Sequence, residues 1–210
     1  MAGAWEKLQE EVLVAILTRE TVTTKWAIGF RQLQFPGTAT FLTGMPFDHA
    51  RNSACENVLS SLFSWLFFLD DDIVCPPDTV LRLMAHKKDI ISGLYFRRSP
   101  PLAPVMMKLD GEKASFITQF QPGEIVEADF VGAGCLLIHR RVLEKVKYPW
   151  FDWRVDRKDL KGNKRCSEDF AFCESAREAG FKIYVDTSIQ CDHCGLLKSN
   201  GSGYNPLSIS

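Results

Sequence analysis

Between Trp65 and Ile73 the chain reads Trp-Leu-Phe-Phe-Leu-Asp-Asp-Asp-Ile, an apolar run fit for a buried strand that ends in three consecutive carboxylates. Folding alone gives no reason to stop such a strand on three acids, because adjacent carboxylates repel one another unless a cation is shared between them. The carboxyl edge of an open α/β sheet is where ligands bind. Magnesium and manganese take oxygen ligands, usually hold one or two protein carboxylates, and leave their other positions to water and substrate phosphates. The triplet therefore predicts Mn2+ or Mg2+ together with a phosphorylated ligand. A turn or a helix cap would account for one Asp, but poorly for three after an apolar run.

The rest of the chain supplies the sheet that such an edge requires. Glu11 to Thr18 reads as a buried strand, followed by a polar loop from Arg19 to Thr24 and a helix containing Trp26 to Leu33. Phe41 and Leu42 suggest a short second strand, and Asp48 an N-cap for a helix from His49 to about Leu62. Pro76-Pro77-Asp78 opens a helix with Val80, Leu81, Leu83 and Met84 at helical spacing, and Asp89 to Tyr95 returns as a strand. Strands alternating with helices predict a mostly parallel, doubly wound sheet flanked by helices.

After Pro100-Pro101 shorter β-like pieces follow at Val105 to Leu109, Ser115 to Phe120 and Glu124 to Phe130, with a hairpin signal at Asp110-Gly111. These predict a smaller antiparallel part. Cys135 to Ile138 is a further strand, Arg140 to Val146 a short helix, and Ser167 to Ala179 a helix closed by Gly180; Phe181 to Val185 is the last clear strand. The expected organisation is one α/β domain over 1–195, with 11–99 as a nucleotide-binding half and 100–195 as an acceptor half, and a flexible tail over 196–210.

Composition narrows the partners. With 25 Lys and Arg against 26 Asp and Glu, interspersed, no net field draws the chain to nucleic acid or an anionic membrane. No window reaches the roughly 18 to 20 apolar residues of a membrane span, and the first residues lack a basic, then apolar, leader. Seven Cys, an odd count spread through strands and helices, suggest reduced thiols and a cytoplasmic location.

Several further groups bear on chemistry. Gly132 and Gly134 either shape a turn or let a ligand approach closely. Glu168 and Asp169 follow Ser167 at a helix start, where acids favour the dipole and where a carboxylate could also deprotonate an attacking hydroxyl. His193, between Cys191 and Cys194, could reach back to the carboxylate-bound metal; zinc held by Cys191, Cys194, His193 and Cys166 or Cys173 is the other reading, with spacing unlike structural zinc sites. Arg51 or Arg97 would neutralise a diphosphate, with Arg98 nearby. Trp150-Phe151-Asp152-Trp153 is an aromatic cluster before a charged stretch, Arg154 to Arg165, that looks like a lid.

Taken in order, Asp-His-Ala-Arg-Asn at 48–52, Phe-Leu-Asp-Asp-Asp at 68–72, Gly-x-Gly at 132–134, Ser-Glu-Asp-Phe-Ala-Phe-Cys at 167–173 and Phe-Lys-Ile-Tyr-Val-Asp-Thr at 181–187 leading to His193 resemble the GT-A-fold glycosyltransferases. The resemblance is strongest to the small bacterial and phage-type proteins grouped with family 2, and spans roughly residues 11–195. It implies a single GT-A domain and an Asp-x-Asp motif at Asp70 and Asp72, with Asp72 and His193 on the metal. It places Asp70, nearer the ribose or sugar, with Asp71 in the nucleotide-sugar site, and Thr18 and Glu20 at the base. It implies Asp169, paired with Glu168, as the base that activates the acceptor. The function so implied is transfer of a sugar from a UDP- or GDP-sugar to a hydroxyl acceptor: a glycan, lipid, small molecule or modified nucleobase. A sugar-phosphate nucleotidyltransferase is the alternative, though Thr18 to Thr24 contains no glycine where its phosphate loop would sit; a non-enzymatic zinc-binding interaction module is another.

Overall fold

The computed structural model describes residues 10–100, 102–111, 113–155 and 165–194. In chain order the first elements are β1 (Val12–Thr18), α1 (Thr24–Gln32), β2 (Gly37–Thr43), α2 (Phe47–Leu59), β3 (Trp65–Asp70), β4 (Ile73–Val74), α3 (Thr79–Ala85) and β5 (Ile90–Leu94). There follow β6 (Met106–Asp110), β7 (Lys113–Phe116), β8 (Ile125–Ala128), β9 (Phe130–Val131), β10 (Cys135–His139) and α4 (Arg140–Lys145). The last are β11 (Arg154–Val155), β12 (Arg165–Cys166), α5 (Glu168–Glu178), β13 (Ile183–Gln190) and β14 (Asp192–His193).

The central sheet runs β2-β1-β3-β10-β5-β13-β8. Five of its strands point one way; β10 runs against both β3 and β5, and β8 against β13. The sheet is thus mostly parallel, with a smaller antiparallel sheet β7-β6-β9 beside it. β1 is buried along its whole length because alternate side chains feed opposite layers: Leu13, Ala15 and Leu17 pack with α2, α4 and α5, while Val12, Val14 and Ile16 pack with α1 and α3. β3 divides in the same way, Leu66 and Phe68 on one side and Trp65, Phe67 and Leu69 on the other.

Most expected elements form near their expected places, and the departures have local causes. β2 is longer than the two residues expected, since it pairs in parallel with β1 from Gly37 to Thr43. Asp48 is not the cap of α2: Pro46 is, and Asp48 sits in the first turn beside the positive end of the dipole. That helix stops at Leu59 because the Ser60 and Ser61 hydroxyls donate to the Glu56 and Val58 carbonyls. The strand expected to end at Val185 continues to Gln190, and β14 follows it. The Asp110-Gly111 hairpin forms between β6 and β7, with Gly111 at φ +61°. Trp150 and Phe151 belong to the core, while Trp153 is exposed. The lid expected at 154–165 begins and ends in the paired β11 and β12; residues 156–164 between them, and the tail at 196–210, lie outside the described residues. No helix among the described residues is long and apolar enough to cross a membrane.

Candidate active site

The end of β3, the segment after β5, helix α2, the start of α5 and β14 together assemble one polar corner at the carboxyl edge of β3. The even-numbered residues of β3 face the α2 and α5 layer, so Asp70 continues the row of Leu66 and Phe68 and meets Arg51 of α2. Arg51 Nη2 donates to both Asp70 carboxylate oxygens, at 3.1 and 3.3 Å, its Nε lies 3.4 Å from Glu168 Oε1, and its Nη1 donates to the Ala133 carbonyl. The guanidinium, only 3% exposed, stacks over the Phe68 ring at 5.0 Å from its centroid, with the adjoining Phe151 ring at 5.8 Å. Trp26 of α1 fixes the same corner from the other face, its indole donating to the Asp70 carbonyl at 2.9 Å.

Asp72 faces elsewhere. The short antiparallel pairing of β4 with β14 sets His193 opposite Ile73, which brings its Nε2 to 3.5 Å from Asp72 Oδ2. The other ring nitrogen, Nδ1, lies 2.7 Å from the Phe96 carbonyl, which can only accept, so Nδ1 donates there, and in the neutral ring the Nε2 lone pair is the one left toward Asp72. Arg98 Nη1 is 2.8 Å from the same Asp72 oxygen. The Cys194 N–H donates to the Asp72 carbonyl, closing the segment.

Together these groups line a cavity of about 360 Å³. Of the expected site residues, Arg51, Asp70, Asp71, Asp72, Arg97, Glu168, Asp169 and His193 reach it. The two pairs, Gly132 with Gly134 and Thr18 with Glu20, lie outside its lining. The glycines back the lining residue Tyr95: a Cβ on Gly132 would stand 2.1 Å from the Tyr95 hydroxyl, which accepts the Gly134 N–H at 3.1 Å. Thr18 caps the backbone of Glu20 through its Oγ1, and Glu20 holds φ at +141°, a region that side-chain-bearing residues rarely adopt. Arg97 lies with its guanidinium over the Phe116 ring rather than on a carboxylate of the triplet; its neighbour Arg98 makes that contact.

Ser167 is the N-cap residue of α5, yet its hydroxyl makes no capping bond; it donates to the Asp169 carboxylate, which also accepts the Phe170 N–H. Burial pushes the Glu168 carboxyl above its ordinary range, Asp169 adds to that, and Arg51 opposes it. Burial raises Asp70 likewise, with Arg51 opposing and Asp72 adding. The buried Tyr95 phenol stands well above its usual value, through burial first and the charge of Asp70 second. Tyr95 is a functional candidate that sequence reasoning did not single out, an aromatic at a strand end carrying no distinguishing pattern; Arg98, named beside Arg51 and Arg97 but not preferred, is the arginine that meets Asp72.

The donor set suits Mn2+ or Mg2+. Asp72 would offer a carboxylate and His193 an imidazole nitrogen, and the five carboxylates of the cavity lining against its three guanidiniums leave a formal charge of −2. Asp70 is turned to Arg51 instead. The zinc set does not gather: Cys173 Sγ lies against the Val131 carbonyl, and Cys191 packs with Cys75 and Cys135.

No protein-family profile and no curated protein sequence matches the chain. Solved structures do. The chain superposes on A197 from STIV with a TM-score of 0.62 at 19% identity, covering 87% of this chain and 85% of that one. It superposes on GalNAc-T7, crystallised with UDP, GalNAc and Mn2+, at 0.61 and 8% identity over 95% of this chain, which spans only 46% of that one. With S. aureus TarS in complex with UDP-GlcNAc the score is 0.52 at 13% identity, over 86% of this chain and 58% of that one. At these identities the common ground is the architecture, and that architecture is the GT-A glycosyltransferase fold.

Proposed function

We propose that the protein is a glycosyltransferase that uses Mn2+ or Mg2+ to move a sugar from a UDP- or GDP-sugar to a hydroxyl acceptor. The observation that carries this reading is the pairing of Asp72 with His193, whose Nδ1 is held on the Phe96 carbonyl, across one cavity from Glu168 and Asp169. The metal, held by Asp72 and His193, would act as a Lewis acid toward the departing diphosphate. Arg98 and Arg97 face the same cavity and would take up phosphate charge that the metal leaves. Asp70, Asp71, Thr18 and Glu20 would contact the nucleotide-sugar, and Gly132 and Gly134 would keep the floor low enough for it to enter. Arg51, buried between Asp70 and Glu168, would position both acids rather than bind phosphate itself. Asp169 would accept the proton of the acceptor hydroxyl. Residues 11–99 would supply the nucleotide side and 100–195 the acceptor side, and reduced thiols fit action in a cytoplasm. GalNAc-T7, with UDP and Mn2+, and TarS, with UDP-GlcNAc, support the donor class.

The test is donor hydrolysis and nucleotide binding with a panel of UDP-, GDP- and dTDP-sugars and manganese. Asp72→Ala abolishes both metal-dependent binding and turnover; turnover that persists in that variant refutes the proposal.

A further inference from the structure

On the α1 and α3 side of the sheet, behind the Ile73 and Tyr95 that also line the oxygen-rich cavity, three thiols meet. Cys75 follows β4, Cys135 opens β10 and Cys191 lies between β13 and β14, so three separate segments deliver them. The Cys135 sulfur is 3.7 Å from Cys75 Sγ and 3.7 Å from Cys191 Sγ, and all three lie within 4.8 Å of one another. Exposures are 7%, 0% and 4%. Gly93 keeps the space beside them open: a Cβ there would stand 3.0 Å from Cys135 Sγ and 3.1 Å from Cys191 Sγ, and its backbone needs no left-handed geometry that would otherwise explain a glycine.

We propose that Cys75, Cys135 and Cys191 form an all-sulfur, three-coordinate site for a soft d10 cation of the copper(I) class. With metal–sulfur bonds of about 2.3 Å, the sulfurs of a trigonal site stand about 4 Å apart, close to the spacing already present. Thiolate sulfur selects soft ions over the hard ions that suit Asp72. Zinc is nearly always four-coordinate, and among the described residues no fourth His, Cys, Asp or Glu joins the group. The surroundings, Ile73, Val80, Leu83, Tyr95 and Ile189, belong to the apolar layer that holds the cysteines. This site is independent of the sugar-transfer reading. It would stitch together the segments that carry Asp72, Gly134 and His193.

The experiment uses the full chain, reduced and free of oxygen, in a Cys166→Ser/Cys194→Ser background, titrated with copper(I) against a copper(I) chelator. The expected result is one equivalent bound, with X-ray absorption showing sulfur scatterers alone at about 2.3 Å. Cys135→Ser weakens binding at least a hundredfold, while Cys55→Ala, a buried cysteine of the opposite layer, binds as the background does. If circular dichroism shows Cys135→Ser unfolded, Cys75→Ser takes its place, and the scattering shell of the background protein stands as the independent measurement. No uptake in competition with the chelator, uptake indifferent to Cys135 or Cys75, oxygen or nitrogen in the shell, or preferential retention of zinc each overturns the proposal.

Discussion

Replacing Arg51 with Met removes a guanidinium and leaves its aliphatic volume, and the structure sets both the size and the pH dependence of the damage. Arg51 is 3% exposed and is the close cationic partner of two carboxylates, Asp70 at 3.1 Å and Glu168 at 3.4 Å. Breaking a buried ion pair by removing one partner costs about 3 to 5 kcal/mol, because a charge is left uncompensated in a poorly solvated place. Against a total stability of about 5 to 15 kcal/mol, Arg51→Met removes a substantial share, from roughly a fifth upward, at neutral pH. Burial already raises Asp70 and Glu168 above their ordinary values with Arg51 opposing, so its loss raises both further. A carboxyl whose folded pKa lies above its unfolded one contributes stability below the unfolded value and loses it as pH rises through the folded one. The variant therefore suffers most at neutral pH and recovers as the two acids take up protons. Urea titrations of parent and variant at pH 7 and pH 5, with chelator present to exclude metal, measure this difference directly. A loss under about 1 kcal/mol, the scale of an exposed pair, or one that is the same at both pH values, refutes the reasoning.

Gly132→Ala drives a Cβ to 2.1 Å from the Tyr95 hydroxyl and 2.9 Å from Val105, so it should cost about 1 to 3 kcal/mol of stability, read as a lowered urea midpoint. Asn52 accepts the Trp150 and Phe151 N–H groups and donates to the Phe151 carbonyl at 2.7 Å; Asn52→Ala strands all three and lowers thermal stability by about 2 to 4 kcal/mol. His193→Ala reduces manganese affinity in calorimetric titration by at least the roughly tenfold to hundredfold that losing even an outer-shell partner costs, while the metal-free protein loses only about 1 kcal/mol with the Phe96 hydrogen bond. Equal manganese affinity in parent and variant would remove His193 from the metal site.

The parts that could be read from the sequence were those written in consecutive residues. The apolar run into Asp70, the Asp110-Gly111 turn, and Gly180 at φ +90° closing α5 each declare themselves locally. The direction of β10 does not, because a wholly buried strand such as Cys-Leu-Leu-Ile carries the same pattern whichever way it runs. Arg51 with Asp70 and Glu168 was hidden for another reason: its partners lie 19 and 117 residues away, a distance only tertiary structure spans. The cysteines show the same limit from the other side. Cys191 and Cys194 are neighbours in sequence, yet the turn into β14 sends Cys191 to Cys135 and puts Cys194 beside the Asp72 carbonyl.

The reversed strand β10 also decides how the chain can be divided. It is hydrogen-bonded to β3 on one side and to β5 on the other, so two strands from before residue 100 touch only through a strand from after it. Cleavage near Pro100 would not release two autonomous fragments, since the amino-terminal piece would carry a gap one strand wide. Residues from before and after Pro100 are interleaved rungs of one ladder, and the sheet has no continuous floor until the chain has passed β10.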